Sequence, residues 1–162
     1  MAPTMTDDRT TRTPAVTRLL TFAGLFVRPM TLGVRGLVVD GEGRALLVRH
    51  TYVPGWYLPG GGVERGETLL DALTRELVEE GHIELLSPPA LHGVYLNKAA
   101  SARDHVALYV VREFRSTGPF VPNREIAEIG FFSPQALPDG VTRATQARIE
   151  EALSGAPVSA YW

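Results

Sequence analysis

GGGVERGETLLDALTRELVEEGHI, residues 60–83, opens with three glycines and runs on with helical periodicity. Leu69, Leu70, Leu73 and Leu77 recur at helix spacing and predict a helix over Thr68–Glu80, with its acids along one edge of the apolar stripe. Glu76, Glu79 and Glu80 stand at i, i+3 and i+4, which puts them on one helix face. Like charges so placed cost a helix roughly 0.2–0.5 kcal/mol per pair. A hard divalent cation would neutralise the cluster, and oxygen donors select Mg²⁺ or Mn²⁺ over zinc. Such acids also suit a solvated helix face. The glycine loop, Glu67, Arg75 and the aliphatic positions weigh against that reading, because glycines 60–62 lack Cβ and let backbone approach a ligand.

On either side of this stretch the pattern is that of strands and turns. Leu32–Val39 reads as a buried strand, Asp40-Gly41-Glu42-Gly43 as a hairpin turn and Ala45–His50 as the return strand. Trp56-Tyr57-Leu58 is a short strand leading into the glycines, and Trp56 and Tyr57 read as packing residues. Beyond Pro88-Pro89, strands are expected at Leu91–Asn97, His105–Phe114 and Ile126–Phe132, and a second long helix at Thr142–Leu153. Val141, Ala144, Ile149 and Leu153 would pack that helix. Strands separated by helices predict a mixed sheet with helices on both faces. His50, His92 and His105 fit no metal-ligand spacing and read as structural or exposed.

The order Gly61, Glu67, Arg75-Glu76-Leu77, Glu79-Glu80 and Ile83 resembles the signature of the Nudix hydrolases, G-x5-E-x7-R-E-U-x-E-E-x-G-U, with U a bulky aliphatic residue. One position departs: His82 stands where the signature has its last glycine. Either the helix ends early at Gly81 or His82 takes the left-handed conformation itself. The resemblance covers about Leu32–Leu153 and implies an α/β/α sandwich with a mixed β-sheet. It implies hydrolysis of a diphosphate linkage by water, with two or three Mg²⁺ ions (Mn²⁺ substituting) held by the Gly60 carbonyl and by Glu76, Glu79 and Glu80. Glu67 would pair with Arg75 and brace the loop against the helix. The base would be Glu76 or Glu79 on the helix, or a separate glutamate among the later strands, for which Glu125 and Glu128 are candidates and Glu125 is favoured. Arg49, Asn97, Lys98 and Arg103 are candidates for contacts to phosphate or sugar. The substrate would be a small nucleoside diphosphate derivative: ADP-ribose, a nucleotide sugar or a noncanonical nucleoside triphosphate. A catalytically silent nucleotide sensor is the alternative, disfavoured because a sensor has no need of clustered acids. Relatives of this kind are often homodimers.

At 162 residues the chain suits one domain with one substantial core. The expected parts are a disordered tail at 1–13, an N-terminal helix at 14–30, the hydrolase domain at 31–155 and a C-terminal tail at 156–162. A net charge of −2 without a basic stripe argues against a nucleic-acid partner. The absence of cysteine excludes disulfides, thiolate catalysis and zinc–sulfur sites, and fits a reducing, cytoplasmic setting. Leu19–Val27 is too short to span a bilayer, and no small-residue cleavage site follows it, so a packing helix is expected there rather than a membrane or signal segment.

Overall fold

The computed structural model describes residues 30–162. The tail and helix expected before Met30 lie outside the described residues. In chain order the elements are β1 (Thr31–Val38), β2 (Ala45–His50), α1 (Leu69–Gly81), β3 (Ile83–Leu85), β4 (Ala90–Leu96), β5 (Asp104–Val111), β6 (Phe114–Ser116), β7 (Ile126–Phe132) and α2 (Arg143–Ser154).

β5 is the centre of a mixed three-stranded sheet, parallel to β1 and antiparallel to β4. β2 pairs antiparallel with β7, and β3 with β6. The sheet carries apolar side chains on both faces, so two cores form. Val34, Val38, Leu46, Ala107 and Val111 meet Ala72, Leu73 and Leu77 of α1. Leu37, Leu47, Trp56, Leu58, Tyr95 and Leu108 meet Ile149 of α2. Strand alternation sends successive β1 residues to opposite cores. The result is an α/β/α sandwich.

Gly36 sets how closely α1 approaches the sheet. A Cβ there would lie 3.0 Å from Leu77 Cδ2 and 3.2 Å from Leu73 Cδ1.

Four local expectations change. The turn after β1 forms, with Asp40 Oδ1 accepting from the Glu42 and Arg44 backbone N–H groups at 3.0 and 2.9 Å. Yet β1 and β2 meet only through the Val39–Ala45 bridge and then join different sheets. On α1, Ala72 is buried and Leu70 is exposed, because the face against the sheet follows residues 69, 72, 73, 76, 77 and 80. The strand expected to reach Phe114 stops at Val111, and Phe114–Ser116 becomes β6 on the partner β3. β3 has three residues and no periodicity to read. Residues 156–162, read as a tail, lie against β4 and α2: Leu96 N–H donates to the Ala160 carbonyl at 2.9 Å, and Trp162 N–H to that of Leu96 at 3.2 Å.

Candidate metal and diphosphate site

Helix α1 is aimed by its start. Thr68 caps it, accepting from Asp71 N–H at 3.1 Å while the Asp71 carboxylate accepts from Thr68 N–H at 3.0 Å. Such a cap contributes about 1 kcal/mol and fixes where the helix begins. His82 ends it in the left-handed conformation (φ 53°, ψ 37°), its N–H reaching the Leu77 carbonyl. Of the two possibilities at this position, His82 adopts the conformation itself, with its ring edge-on to Phe120 at 5.5 Å.

The glycine loop runs antiparallel beside β1: Gly36 N–H donates to the Pro59 carbonyl and Val34 N–H to that of Gly61, both at 2.9 Å. Gly60 has φ 138°, and a Cβ on it would stand 2.1 Å from the Val34 carbonyl oxygen, so only glycine fits. A Cβ on Gly61 would meet Glu76 Oε1 at 2.3 Å. Backbone thus comes within touching distance of the carboxylates of α1.

Two of the three helix carboxylates turn inward. Glu76 and Glu80 are only 9% and 7% exposed, and they share a cavity of about 340 Å³ with Gly60, Gly61, Arg35 and Glu125. Gly60 N–H donates to Glu80 Oε2 at 2.8 Å. Burial pushes the Glu80 carboxyl up to about 7, opposed by the Gly60 N–H and by Arg35. Glu79 points outward, its side chain 57% exposed, and lines a neighbouring depression with Asn123, Arg124 and Glu125. Among the described residues, no three His, Asp or Glu side chains converge closely enough to hold one ion. The carboxylates of Glu76 and Glu80 are the right kind of donor for a hard cation, whereas the Gly60 carbonyl expected to join them accepts from Arg35 instead.

Arg75 ties loop to helix. Its Nε and Nη2 donate to the two Glu67 oxygens at 2.9 and 3.1 Å, its Nη1 to Glu76 Oε1 at 2.7 Å and its Nη2 to the Gly62 carbonyl at 3.1 Å. The Arg75 hydrogen bonds hold the Glu67 carboxyl below its usual range. Glu79 stands at the edge of this group, 3.5 Å from Arg75 Nη1.

The remaining candidates divide. Glu125 reaches the cavity from the turn before β7, where Asn123 Oδ1 accepts from the backbone N–H groups of Glu125 and Ile126, both at 2.8 Å. Glu128 is engaged instead by Arg49, at 2.7 Å, and neither of these two lines the cavity. Asn97 lines a second cavity, also about 340 Å³, which shares Arg35 and Gly61 with the first. Lys98 sits over the Tyr161 ring at 4.1 Å, and Arg103 lines neither cavity.

Arg35 and Tyr52 of the first cavity escape a reading from sequence, and His50, read as structural or exposed, lines it as well. Arg35 donates to the carbonyls of Leu58, at 3.0 Å, and Gly60. The signal available was its place as the lone charge in the apolar strand LGVRGLVV, since a half-buried cation needs partners. His50 is buried beside Glu80, with Nδ1 3.7 Å from Glu80 Oε1, and burial holds its pKa below the usual value. Tyr52 joins it, the two rings 5.2 Å apart, and nothing in the spacing announces either.

A family model for the NUDIX domain matches residues 29–153. The chain belongs to the Nudix hydrolases. It is 32% identical over 126 residues to a "MutT-like protein" of Streptomyces ambofaciens, covering 78% of this chain and 79% of that one. It is 30% identical over 127 residues to a Bacillus subtilis (strain 168) protein named "Putative 8-oxo-dGTP diphosphatase", covering 78% of this chain and 82% of the relative. Among solved structures it is similar to the MutT NUDIX hydrolase from Burkholderia pseudomallei, with a TM-score of 0.63 and 28% identity over 74% of this chain and 95% of that one. This Nudix chain is therefore a hydrolase acting on phosphoric anhydrides, in a family that works with a divalent metal. No helix among the described residues is long and apolar enough to cross a membrane.

Proposed function

We propose that this Nudix hydrolase is a Mg²⁺-dependent pyrophosphohydrolase that cleaves the diphosphate linkage of a small nucleoside diphosphate derivative, such as a noncanonical nucleoside triphosphate, ADP-ribose or a nucleotide sugar. The observation that carries the proposal is the common cavity of the Gly60 backbone, Glu76, Glu80 and Glu125, with Arg35 on its wall. Glu76 and Glu80 would hold Mg²⁺ or Mn²⁺ from the inside and Glu79 from the solvent side, joined by the Gly60 carbonyl once Arg35 releases it. The cation supplies neutralisation of phosphoryl charge and acidifies bound water. Glu67 and Arg75 keep Glu76 and the glycine loop in place, so the donors are positioned before substrate arrives. Arg35, which borders both cavities, would turn its guanidinium from the Leu58 and Gly60 carbonyls to the substrate phosphate. Glu125, exposed at the rim, takes the proton of the attacking water. Oxygen then adds to one phosphorus, the P–O–P bond breaks, and two phosphorylated products leave. Asn97 would contact the nucleoside part. Arg49, Lys98 and Arg103 stand outside the cavity walls, so their part would be in encounter rather than in the bound complex. A homodimer and a cytoplasmic setting accompany this reading.

The test is a panel of nucleoside diphosphate derivatives with Mg²⁺, following release of phosphate, pyrophosphate or nucleoside monophosphate. Turnover of at least one member is expected, with Glu79→Gln lowering kcat by about a hundredfold or more while far-UV dichroism is unchanged. Tight nucleotide binding without turnover of any member would replace the enzyme reading with a silent sensor. Full activity in Glu79→Gln would remove Glu79 from the site.

A further inference from the structure

Residues 159–162 form a strap held across the end of β4 by a buried polar cluster. Glu151 of α2 is its hub. One carboxylate oxygen accepts from the Tyr95 hydroxyl at 2.6 Å, and the other accepts from Ser159 N–H at 2.7 Å. Arg148 lies over the Tyr95 ring, 4.5 Å from its centroid, and donates to the Tyr161 carbonyl. Fastening so many buried polar groups to four residues of strap is costly unless the placement of those residues matters.

What the strap places is Trp162, a half-buried ring packed on the core around Tyr95 and Leu108 that also lines the second cavity. Tyr95 braces that ring with planes at 74° and centroids 5.5 Å apart. Leu32 and Val106 add apolar lining. Asn97 stands in the same cavity with a fixed orientation: its Nδ2 donates to Asp104 Oδ2 at 2.8 Å, and the other Asp104 oxygen accepts from the Thr31 hydroxyl at 2.6 Å. The amide oxygen of Asn97 therefore faces away from Asp104 and accepts from no group among the described residues. A flat aromatic wall, an apolar floor and one oriented acceptor describe a receptor for a planar heterocycle that carries an N–H on its edge. Arg35 and Gly61 border both cavities, so a heterocycle here would be joined through its sugar to a diphosphate at Glu76 and Glu80.

We infer that Trp162, seated by the Glu151–Arg148–Tyr95 cluster, is the base-stacking and specificity-determining residue of the active site, and that it favours purine over pyrimidine nucleotides. The inference rests on the proposed diphosphate chemistry for its orientation. Purines are favoured because a bicyclic ring covers more of the indole.

The test is calorimetric binding of GMP, AMP, UMP and ribose 5-phosphate, with Mg²⁺ present, to the full chain and to Trp162→Ala, Trp162→Phe and Asn97→Leu. In the unaltered chain the purine monophosphates should bind at least about tenfold more tightly than ribose 5-phosphate, with UMP between them. Trp162→Ala should erase most of that margin and leave ribose 5-phosphate affinity within about twofold; Trp162→Phe should keep most of it. Asn97→Leu, which leaves the strap in place, should also narrow the margin. No margin in the unaltered chain, or an equal loss for ribose 5-phosphate in Trp162→Ala, would overturn the inference. Because binding is read without turnover, a hydrolysis panel that fails while the Trp162-dependent margin persists would count against the reaction and not against the base site.

Discussion

Glu80 is a carboxylate held where a carboxylate is poorly solvated. Its group titrates near 7 in the fold against 4.5 as an unperturbed side chain, chiefly because of burial. The folded protein therefore binds a proton that the unfolded chain has released, so the metal-free protein loses stability as pH rises between these values. The contribution is fully present below about 4.5 and is gone once pH has risen through about 7. Glu80→Gln keeps an acceptor for Gly60 N–H and removes the titration. The metal-free variant should match the parent at low pH and exceed it above pH 7 by at most about 3 kcal/mol, measured by urea unfolding across the pH series. A difference that does not vary with pH would refute the burial argument. His82 shows the opposite economy: a residue in the left-handed region costs roughly 1 kcal/mol, and its contact with Phe120 offsets part of that. At this scale the sequence is informative about which residues have a local reason to be where they are. Gly60 reads directly, whereas the burial that shifts Glu80, and the Gly60 N–H and Arg35 that oppose it from 20 and 45 positions away, cannot be shown by periodicity.

Within α1 and its loop, the Arg75 guanidinium joins Glu67, Glu76 and Gly62, and so fixes the loop, the helix start and one inward carboxylate against each other. Lysine would retain the charge and lose the fork that grips both Glu67 oxygens. Arg75→Lys is expected to lower Mg²⁺ affinity or kcat/KM by about 10–100-fold, as loss of groups that orient metal ligands commonly does. Mg²⁺ titration and steady-state rates check this; a change under twofold would show the clamp to be dispensable. The helix itself was legible, because a repeated leucine spacing acts over a few residues; its capping box, which moves the first helical residue to Leu69, was not read. Also legible were β2 and β7, whose ends at Ala45–His50 and Ile126–Phe132 coincide with those read from the sequence. β3 and β6 were not, since each is three residues long and exists only through the other. The exposure of Leu70 was misread because its spacing suits a stripe, whereas the face against the sheet runs through Leu69, Ala72, Leu73 and Leu77 and leaves Leu70 to one side.

For the whole molecule, the contacts that decide the site are the ones that cross between elements. Gly60, Glu76, Glu80 and Glu125 share a cavity because the glycine loop pairs with β1, α1 packs on β1, and the turn before β7 is brought across by the β2–β7 pairing. The carboxylates were visible in the sequence; Arg35, His50 and Trp162 acquire their positions only from that assembly. Gly36 shows what the assembly demands. Alanine there would press on Leu73 and Leu77, each an ordinary core residue, and overpacking of this kind costs about 1–3 kcal/mol. We expect Gly36→Ala to lower Tm and, more tellingly, to weaken Mg²⁺ binding severalfold, although residue 36 touches no proposed ligand. A loss of Tm with unchanged Mg²⁺ affinity would show that helix and loop move as one body. The missing methyl group of Gly36 thus works as a spacer gauge: it sets how near α1 lies to β1 and, on the proposed reading, the size of ion that the gap beside the glycine loop would accept.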